Sequence, residues 1–417
     1  MPLTSVLTAL VADPAARHWQ QAAAERSRLG RVVVAPSGAV SALAALAAHP
    51  EHGDRPLLLV TATVRQAEDL TEELAGYLPA DSVALFPAWE TLPHERLSPG
   101  ADLVGERLAV LRRLAKPERR GGPHGRVQVV VAPVRAVLQP IVAGLGDVDP
   151  VVVRKGDQLA LEDLVRRLAA TGYERMDLVE RRGQFAVRGG IVDVFAPTAA
   201  HPLRVEFFGD EVEELRWFSV ADQRSTGQAD ELWAPVCREL LLTPEVREAA
   251  AAQAVAYPQL AELLGALAEG VAVPGVEAVA PLVVEAMTTL PQLLPRTAAV
   301  VLVGPDRVAD RAADLVATSA EFLAAGWDVA AGGGEAPVEL AESAYKSVPE
   351  LQQIAADAGL AWWGIAAFAP DAEAGDEDTG AASVVESMAA LPAPAYRGEL
   401  ELAANDIGTR IGEGDHV

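Results

Sequence analysis

The sequence predicts an α/β protein in which a parallel sheet, covered by helices, is interrupted by an inserted α+β domain. Apolar runs without polar alternation take turns with helical patterns over residues 1–149 and again after Pro244. This order is typical of parallel strands that are buried on both faces. Between these parts, from about 150 to 242, period-2 alternation broken by turn residues indicates an antiparallel β ribbon.

Each element of the α/β part follows from its own local pattern. The predicted strands and helices of the first part are the strands Arg31–Ala35, Pro56–Thr61, Asp81–Phe86 and Val127–Val131, and the helices Ala39–Ala48, Val64–Leu78 and a leucine-spaced segment at 103–114. After the ribbon, alanine-rich helices cover 245–268 and Ala298–Val303 is a further buried strand. The acidic run Asp371–Asp378 predicts a solvated loop.

The ribbon carries the most informative pattern in the chain. Within Leu203–Phe208, one face holds Leu203, Val205 and Phe207, and the other holds Arg204, Glu206 and Phe208. Gly209-Asp210 predicts a two-residue hairpin turn, because glycine adopts positive φ at little cost. A helix at Leu161–Ala170 is expected to lie against this sheet.

The polar face of the ribbon has two interpretations. In Gln184–Arg188, Arg188 lies on the face opposite Phe185 and Val187. An aromatic side chain such as Phe208 beside an arginine on a solvated face is typical of an interface anchor. Alternatively, this side of the sheet covers a second small apolar core.

Composition limits the class of protein. The net charge is −25 with only three lysines among 417 residues, which argues against a chain whose main task is to grip nucleic acid. The one cysteine, Cys237, excludes an intrachain disulfide and argues against a zinc site. Neither an export signal nor an apolar run of membrane-helix length is visible, so we expect a cytoplasmic protein that does not enter a membrane.

Three ordered blocks resemble one known family. The segment 181–218 resembles the UvrA-binding domain shared by the excision-repair protein UvrB and the transcription-repair coupling factor. The block Phe86–Pro99 (FPAWETLPHERLSP) is closer to the coupling factor than to UvrB, and Asp222–Ser225 (DQRS) is similar to a DSQR-type family sequence. The chain is thereby identified as similar to the UvrB-like N-terminal module of the coupling factor.

The resemblance implies a function and a binding site. It implies that this module brings UvrA to a stalled transcription complex, so that excision repair starts there. Carried over by position, the UvrA-contacting residues are Arg188, Arg204 and Phe208. RNA polymerase and duplex DNA would be bound only by further domains of the family that are absent from this chain.

The resemblance also implies a degenerate P-loop, helicase-like lobe. Its phosphate loop would fall at Ser37, Gly38, Ala39 and Val40, where Ala39 replaces the lysine and Val40 the hydroxyl residue of a P-loop. The acidic box is missing as well, since Asp306 follows its strand in the wrong register and has no paired carboxylate. We therefore expect no catalytic residues, no metal, and no bound ATP or magnesium in this chain.

Two ring side chains of the block at 86–99 are predicted to have no catalytic role. Trp89 is predicted to fill the core of the lobe, and His94 is predicted to be a solvated turn residue.

One rival function, a UvrB-type ATPase that loads onto damaged DNA, is disfavoured. It would require the P-loop lysine, the acidic box and a tyrosine-rich DNA-gripping hairpin, none of which the sequence contains.

The predicted organisation has four parts. These are a first part of the UvrB-like lobe at 1–149, the inserted UvrA-binding domain at 150–242, a second part of the lobe at 243–394, and the start of a further domain at 395–417. Glu399–Ile411 predicts a helix that the glycines of 412–414 end. His416-Val417 would open a strand, so the chain is interpreted as a fragment of a longer protein.

Overall fold

A computed structural model describes residues 3–117, 125–331, 337–341, 344–369, 384–390 and 399–413. The strands, in chain order, are β1 (Arg31–Val34), β2 (Leu57–Thr61), β3 (Val83–Leu85), β4 (Val129–Pro133), β5 (Ile141–Val142), β6 (Val151–Arg154), β7 (Glu174–Arg175), β8 (Gln184–Arg188), β9 (Ile191–Val194), β10 (Leu203–Phe208), β11 (Glu211–Phe218), β12 (Ser225–Gln228), β13 (Glu231–Ala234), β14 (Met287–Thr288), β15 (Ala299–Val303), β16 (Ala361–Ala366) and β17 (Val384–Ser387).

The helices of the same described part are α1 (Thr4–Leu10), α2 (Pro14–Ala24), α3 (Val40–Ala48), α4 (Val64–Leu74), α5 (Ala101–Ala115), α6 (Val134–Leu138), α7 (Leu161–Ala170), α8 (Pro244–Ala256), α9 (Ala261–Ala268), α10 (Ala280–Val283), α11 (Pro305–Ala331), α12 (Val348–Asp357) and α13 (Leu400–Glu413). Within the described ranges, no helix is both long and apolar enough to cross a bilayer.

The larger sheet confirms the predicted parallel architecture. Among described residues it has seven strands in the order β17-β1-β16-β15-β2-β4-β3, and every neighbouring pair is parallel. Alternate side chains of β2 enter two different cores, with Leu58 and Val60 on one side and Leu57 and Leu59 on the other. The sheet is therefore buried on both faces, which is why its strands show no polar alternation.

The inserted domain is built on a second sheet with the order β12-β11-β10-β9-β8-β7. Strands β8 to β12 pair antiparallel, and α7 lies against the sheet through Leu164 and Leu168, as the sequence predicted. In the chain, the inserted domain lies between β4 and β15, two strands of the lobe that flank β2 in the larger sheet. It is thus an insertion into a continuous α/β fold.

A buried ion pair joins the lobe to the segment that leaves the inserted domain. Arg107 of α5 and Glu239 are both almost fully buried, and Arg107 Nε donates to Glu239 Oε1 over 2.5 Å. The Trp89 indole donates to the same carboxylate oxygen over 2.9 Å, and the Arg107 guanidinium lies over the Phe86 ring. The block at 86–99 therefore helps to fix the inserted domain to the lobe.

Element ends differ from the sequence predictions in a few places. Helix α4 ends at Leu74 rather than Leu78, and α13 continues through Gly408 as far as Glu413 instead of ending before Gly412. Helices α1 and α2 were not predicted. The acidic run at 371–378 and the expected strand start at 416–417 lie outside the described residues.

Candidate partner-binding surface

Phe208 is the most exposed large apolar side chain of the inserted domain, with 79% of its surface accessible. It ends β10, immediately before Gly209, whose φ of 61° allows the predicted hairpin turn to Glu211. Along the same strand, Leu203 and Val205 are buried in the domain core and Phe207 packs against it. Strand alternation therefore directs Phe208 away from the core, as predicted.

Arg188 and Arg204 converge on one buried carboxylate, that of Asp193. Arg204 donates through two nitrogens, with Nε 2.7 Å from Oδ1 and Nη2 2.9 Å from Oδ2. Arg188 Nη2 donates to Oδ2 over 2.8 Å. The Asp193 side chain is 1% exposed, against 16% for Arg204 and 48% for Arg188. The hydrogen bond with Asp193 is the main cause that raises the pKa of Arg204.

The two arginines consequently differ in what they can offer to a partner. An arginine can donate two parallel hydrogen bonds to a carboxylate, and for Arg204 this pair of donors is already used by Asp193. Its Nη1 lies 3.5 Å from the Gln223 carbonyl. Arg188 keeps Nε and Nη1 without a hydrogen bond to any described residue. The two arginines therefore differ in the unbound chain, where Arg188 is the more accessible of the two.

The structure confirms a second small core on the polar face, whereas the interface anchor stays a prediction. One end of this face covers a small apolar cluster that comprises Val179, Ala186, Phe195 and Phe218, with Val220 against it. The Arg204 guanidinium caps this cluster at 4.8 Å from the centre of the Phe218 ring. The other end, at Phe208, is open to solvent. The face thus combines a second small core with an exposed aromatic side chain.

Three further charged side chains, Glu206, Glu214 and Arg216, lie beside Arg204 on this face of the sheet. Glu206 occupies the outward position between Arg204 and Phe208 on β10, and Arg216 stands opposite Arg204 on β11. Arg216 is hydrogen-bonded to Glu214, which raises the pKa of Arg216 and lowers that of Glu214, and it lies 3.7 Å from Glu206. The surface therefore carries separated charges of both signs rather than a uniform positive patch.

The segment predicted to be a degenerate phosphate loop, Ser37–Val40, lies where a strand leads into a helix. Strand β1 leads through a 3₁₀ turn at Ser37–Ala39 into helix α3, which is the strand–loop–helix order of a P-loop. A Cβ on Gly38 would meet nothing within 4 Å, so the loop is open there. The half-buried Ala39 and Val40 bring neither an ammonium nor a hydroxyl group to it. Asp306 lies in the first turn of α11, beyond the end of β15.

Trp89 is buried, as predicted, whereas the prediction for His94 is wrong. His94 is only 9% exposed, because α11 and the segment around Val338 pack over it. Its Nδ1 lies 3.4 Å from the Ser319 hydroxyl, and its carbonyl accepts from the Val338 amide. Both neighbours are more than 200 positions away in the chain, so local sequence contained no sign of this burial.

Asp193 is the site residue that sequence reasoning missed. It sits in the segment Ile191–Val194, between Val192 and Val194, which face the core. A carboxylate at that position must lie on the same side of the sheet as Arg188 and Arg204. That signal was present in the alternation, but the pairing of β9 with β10 was needed to place Asp193 directly opposite Arg204.

Comparisons with known proteins agree with this architecture. Residues 151–234 match the family model of the UvrB interaction domain. The transcription-repair-coupling factors of Mycobacterium bovis and Mycobacterium tuberculosis are 49% identical to the chain over 327 residues, which is 74% of this chain and 26% of each relative. That of Bacillus subtilis is 32% identical over 195 residues, covering 46% of the chain and 16% of the relative. The chain thus spans about a quarter of the length of the mycobacterial relatives.

Proposed function

We propose that the chain acts as the N-terminal module of a transcription-repair-coupling factor and recruits UvrA, so that excision repair can start at stalled transcription. The UvrB interaction domain supplies the recruiting surface. RNA polymerase and duplex DNA are contacted by other parts of the full-length family protein. In this proposal the chain is an adaptor whose chemistry is recognition.

The exposed side chain of Phe208 is the observation that carries the proposal. A monomeric fold gains nothing by leaving a phenylalanine 79% accessible at a hairpin tip, whereas interface anchors are commonly aromatic residues that enter a pocket of the partner. Arg188 adds a partly free guanidinium on the same side of the sheet. The proposed contact therefore combines one apolar anchor with one accessible cation, supported by Arg204 behind them.

A titration with purified UvrA tests the proposal. The whole chain is immobilised, and UvrA binding is followed by surface plasmon resonance for the wild type, Phe208→Ala and Phe322→Ala. Phe322 is also exposed but lies on α11, outside the inserted domain, so it controls for nonspecific apolar contact. Loss of binding with Phe208→Ala alone supports the proposal. A wild-type chain that does not bind UvrA would overturn it.

We also propose that the lobe does not bind ATP and so does not act as a UvrB-type loading ATPase. The support is chemical: phosphoryl transfer depends on a cation at the β and γ phosphates and a hydroxyl ligand for magnesium, and Ala39 and Val40 stand in those two places. The mycobacterial relatives are nearly four times longer than the region they share with this chain. In this proposal any motor lies in that additional length.

A further inference from the structure

We propose that Asp193 is a positioning residue of the UvrA-binding surface: paired with Arg204 on its inner side, it holds the exposed Arg188 in one fixed arrangement ready for the partner. The inference rests on the proposed function and adds to it a residue that does not itself touch UvrA. It is carried by the three hydrogen bonds that the two guanidinium groups donate to this carboxylate.

The position of Asp193 explains why one carboxylate can organise both arginines. In the sheet, Asp193 of β9 is paired with Arg204 on β10 and with Ala186 on β8. Arg188 lies two residues beyond Ala186 on the same face of β8, and it reaches back to Oδ2. Ala186 has too small a side chain to intervene. Asp193 is therefore enclosed by its neighbours and is 1% exposed.

A carboxylate buried to this degree must be fully paired, because removing an unpaired charge from water is costly. Its two oxygens accept three hydrogen bonds from two cations, so the cluster as a whole keeps a formal charge of about +1 by the ordinary protonation states of these groups. That excess charge appears where the side chain is exposed, which is at Arg188. Arg204 closes the cluster on its inner side by capping the Phe218 ring.

The value of this arrangement for binding lies in preorganisation. A free arginine side chain loses much rotamer freedom when a partner immobilises it, and that loss weakens binding. Arg188 is already held through Nη2, while Nε and Nη1 keep no hydrogen bond to the rest of the described chain. A partner carboxylate would therefore meet an oriented guanidinium edge. We expect the Asp193 carboxylate to lower the cost of ordering Arg188.

Charge and position predict opposite results for Asp193→Asn, which makes the inference testable. Asparagine keeps the size of the side chain but removes one negative charge beneath the surface. If only net charge mattered, an acidic partner would bind more tightly. If Asp193 positions the arginines, binding becomes weaker by about tenfold, a factor within the usual coupling between residues of one hydrogen-bonded network.

The experiment is a double-mutant cycle in the full chain, read out as UvrA affinity. Asp193→Asn is expected to weaken binding about tenfold in the wild-type and Phe208→Ala backgrounds, but less than about twofold when Arg188 is already alanine. The last comparison separates positioning from a general loss of fold, which would weaken every background alike. Unchanged or tighter binding by Asp193→Asn, or an equal loss in the Arg188→Ala background, overturns the inference.

A second variant keeps the inference testable should Asp193→Asn fail to fold. Arg188→Lys preserves the charge but removes the planar fork that can bond Asp193 and a partner carboxylate together. We expect it to bind UvrA as weakly as Arg188→Ala, and wild-type affinity of Arg188→Lys overturns the inference. If the unaltered chain binds UvrA and Phe208→Ala weakens that binding as expected, the proposed function stands even when the Asp193 variants overturn the inference. A wild-type chain that fails to bind UvrA overturns both.

Discussion

Val205 and Phe208 lie three residues apart on one strand and face opposite sides of its sheet, the first fully buried and the second 79% exposed. The register between β10 and β11 shifts between Glu206 and Phe207, because β11 has one extra residue there. The inward and outward alternation of β10 itself is unbroken. The same short segment therefore supplies a core residue and a candidate anchor. Substitutions at Val205 and at Phe208 can therefore separate effects on folding from effects on binding.

Phe208→Ala is expected to weaken UvrA binding at least about thirtyfold, because truncating an interface anchor typically costs about 2 kcal/mol or more. The melting temperature should stay within about a degree, since the ring makes little contact in the unbound chain. Val205→Ala is the matched control and should lower stability by about 2 kcal/mol through lost core packing, with little change in affinity once folded. The reverse pattern would show that the two faces have been assigned backwards.

Arg204→Ala is expected to destabilise the inserted domain, whereas Arg188→Ala is not. Removing Arg204 leaves the buried Asp193 with one of its three hydrogen bonds and uncovers the Phe218 ring. Breaking a buried ion pair typically costs about 3–5 kcal/mol, and we expect about 2 kcal/mol here because Arg188 remains. Urea denaturation of the two variants provides the comparison. Equal stabilities would contradict the assignment of the inner, structural role to Arg204.

The double substitution Ala39→Lys and Val40→Thr is not expected to create ATPase activity. It restores the cation and the hydroxyl to the loop, but the acidic box that would hold the metal through water is still missing after β15. Calorimetry should detect no ATP binding at micromolar concentrations for the wild-type chain. Micromolar affinity of the unaltered chain would end the proposal that the lobe is inactive.

Duplex DNA is expected to bind no more tightly than about 10⁻⁴ M at physiological salt, the weak end of nonspecific binding. The reason is the net charge of −25, which leaves few cations to release counterions from the phosphates. Fluorescence anisotropy with a labelled duplex measures this directly. Saturable binding at nanomolar protein would contradict it.

Folding stability is expected to fall as the pH drops below about 6.5, partly through His94. Burial lowers the pKa of His94 from its ordinary 6.5, although Glu95 raises it in part. Below about pH 6.5 the unfolded chain therefore takes up a proton that the folded chain resists, so the contribution present above that pH is lost as the pH falls toward the folded pKa.

His94→Gln should make this pH dependence shallower when urea denaturation is compared at about pH 7.5 and about pH 5.5, on either side of the ordinary histidine pKa. The slope of His52→Gln, measured in the same way, gives the contribution of a second histidine whose pKa is also lowered by burial. Glu277 changes stability in the opposite direction. Burial raises the pKa of Glu277, so its unfavourable contribution to stability grows as the pH rises above its ordinary pKa of 4.5. An unchanged slope in His94→Gln would show that His94 does not resist protonation in the folded chain.

Local periodicity in the sequence by itself determined the fold class and the two faces of the ribbon. Unalternated apolar strands such as Leu57–Thr61 predicted a parallel sheet covered on both faces, because such strands have no solvated side. Alternation in Leu203–Phe208 separated Val205 from Phe208, because successive side chains of a strand point in opposite directions. The identities of Ala39 and Val40 predict that this loop does not bind phosphate, which stays a prediction.

Only the tertiary structure decided which of these residues meet. The Asp193 carboxylate organises Arg188 and Arg204 because the register of three strands brings them together, and strand alternation fixes a face but not a cross-strand partner. His94 is buried by α11, and Arg107 is paired with Glu239, through contacts between positions more than 100 residues apart. Such contacts depend on the folding of the whole chain, because hydrophobic periodicity within one segment does not specify what that segment packs against.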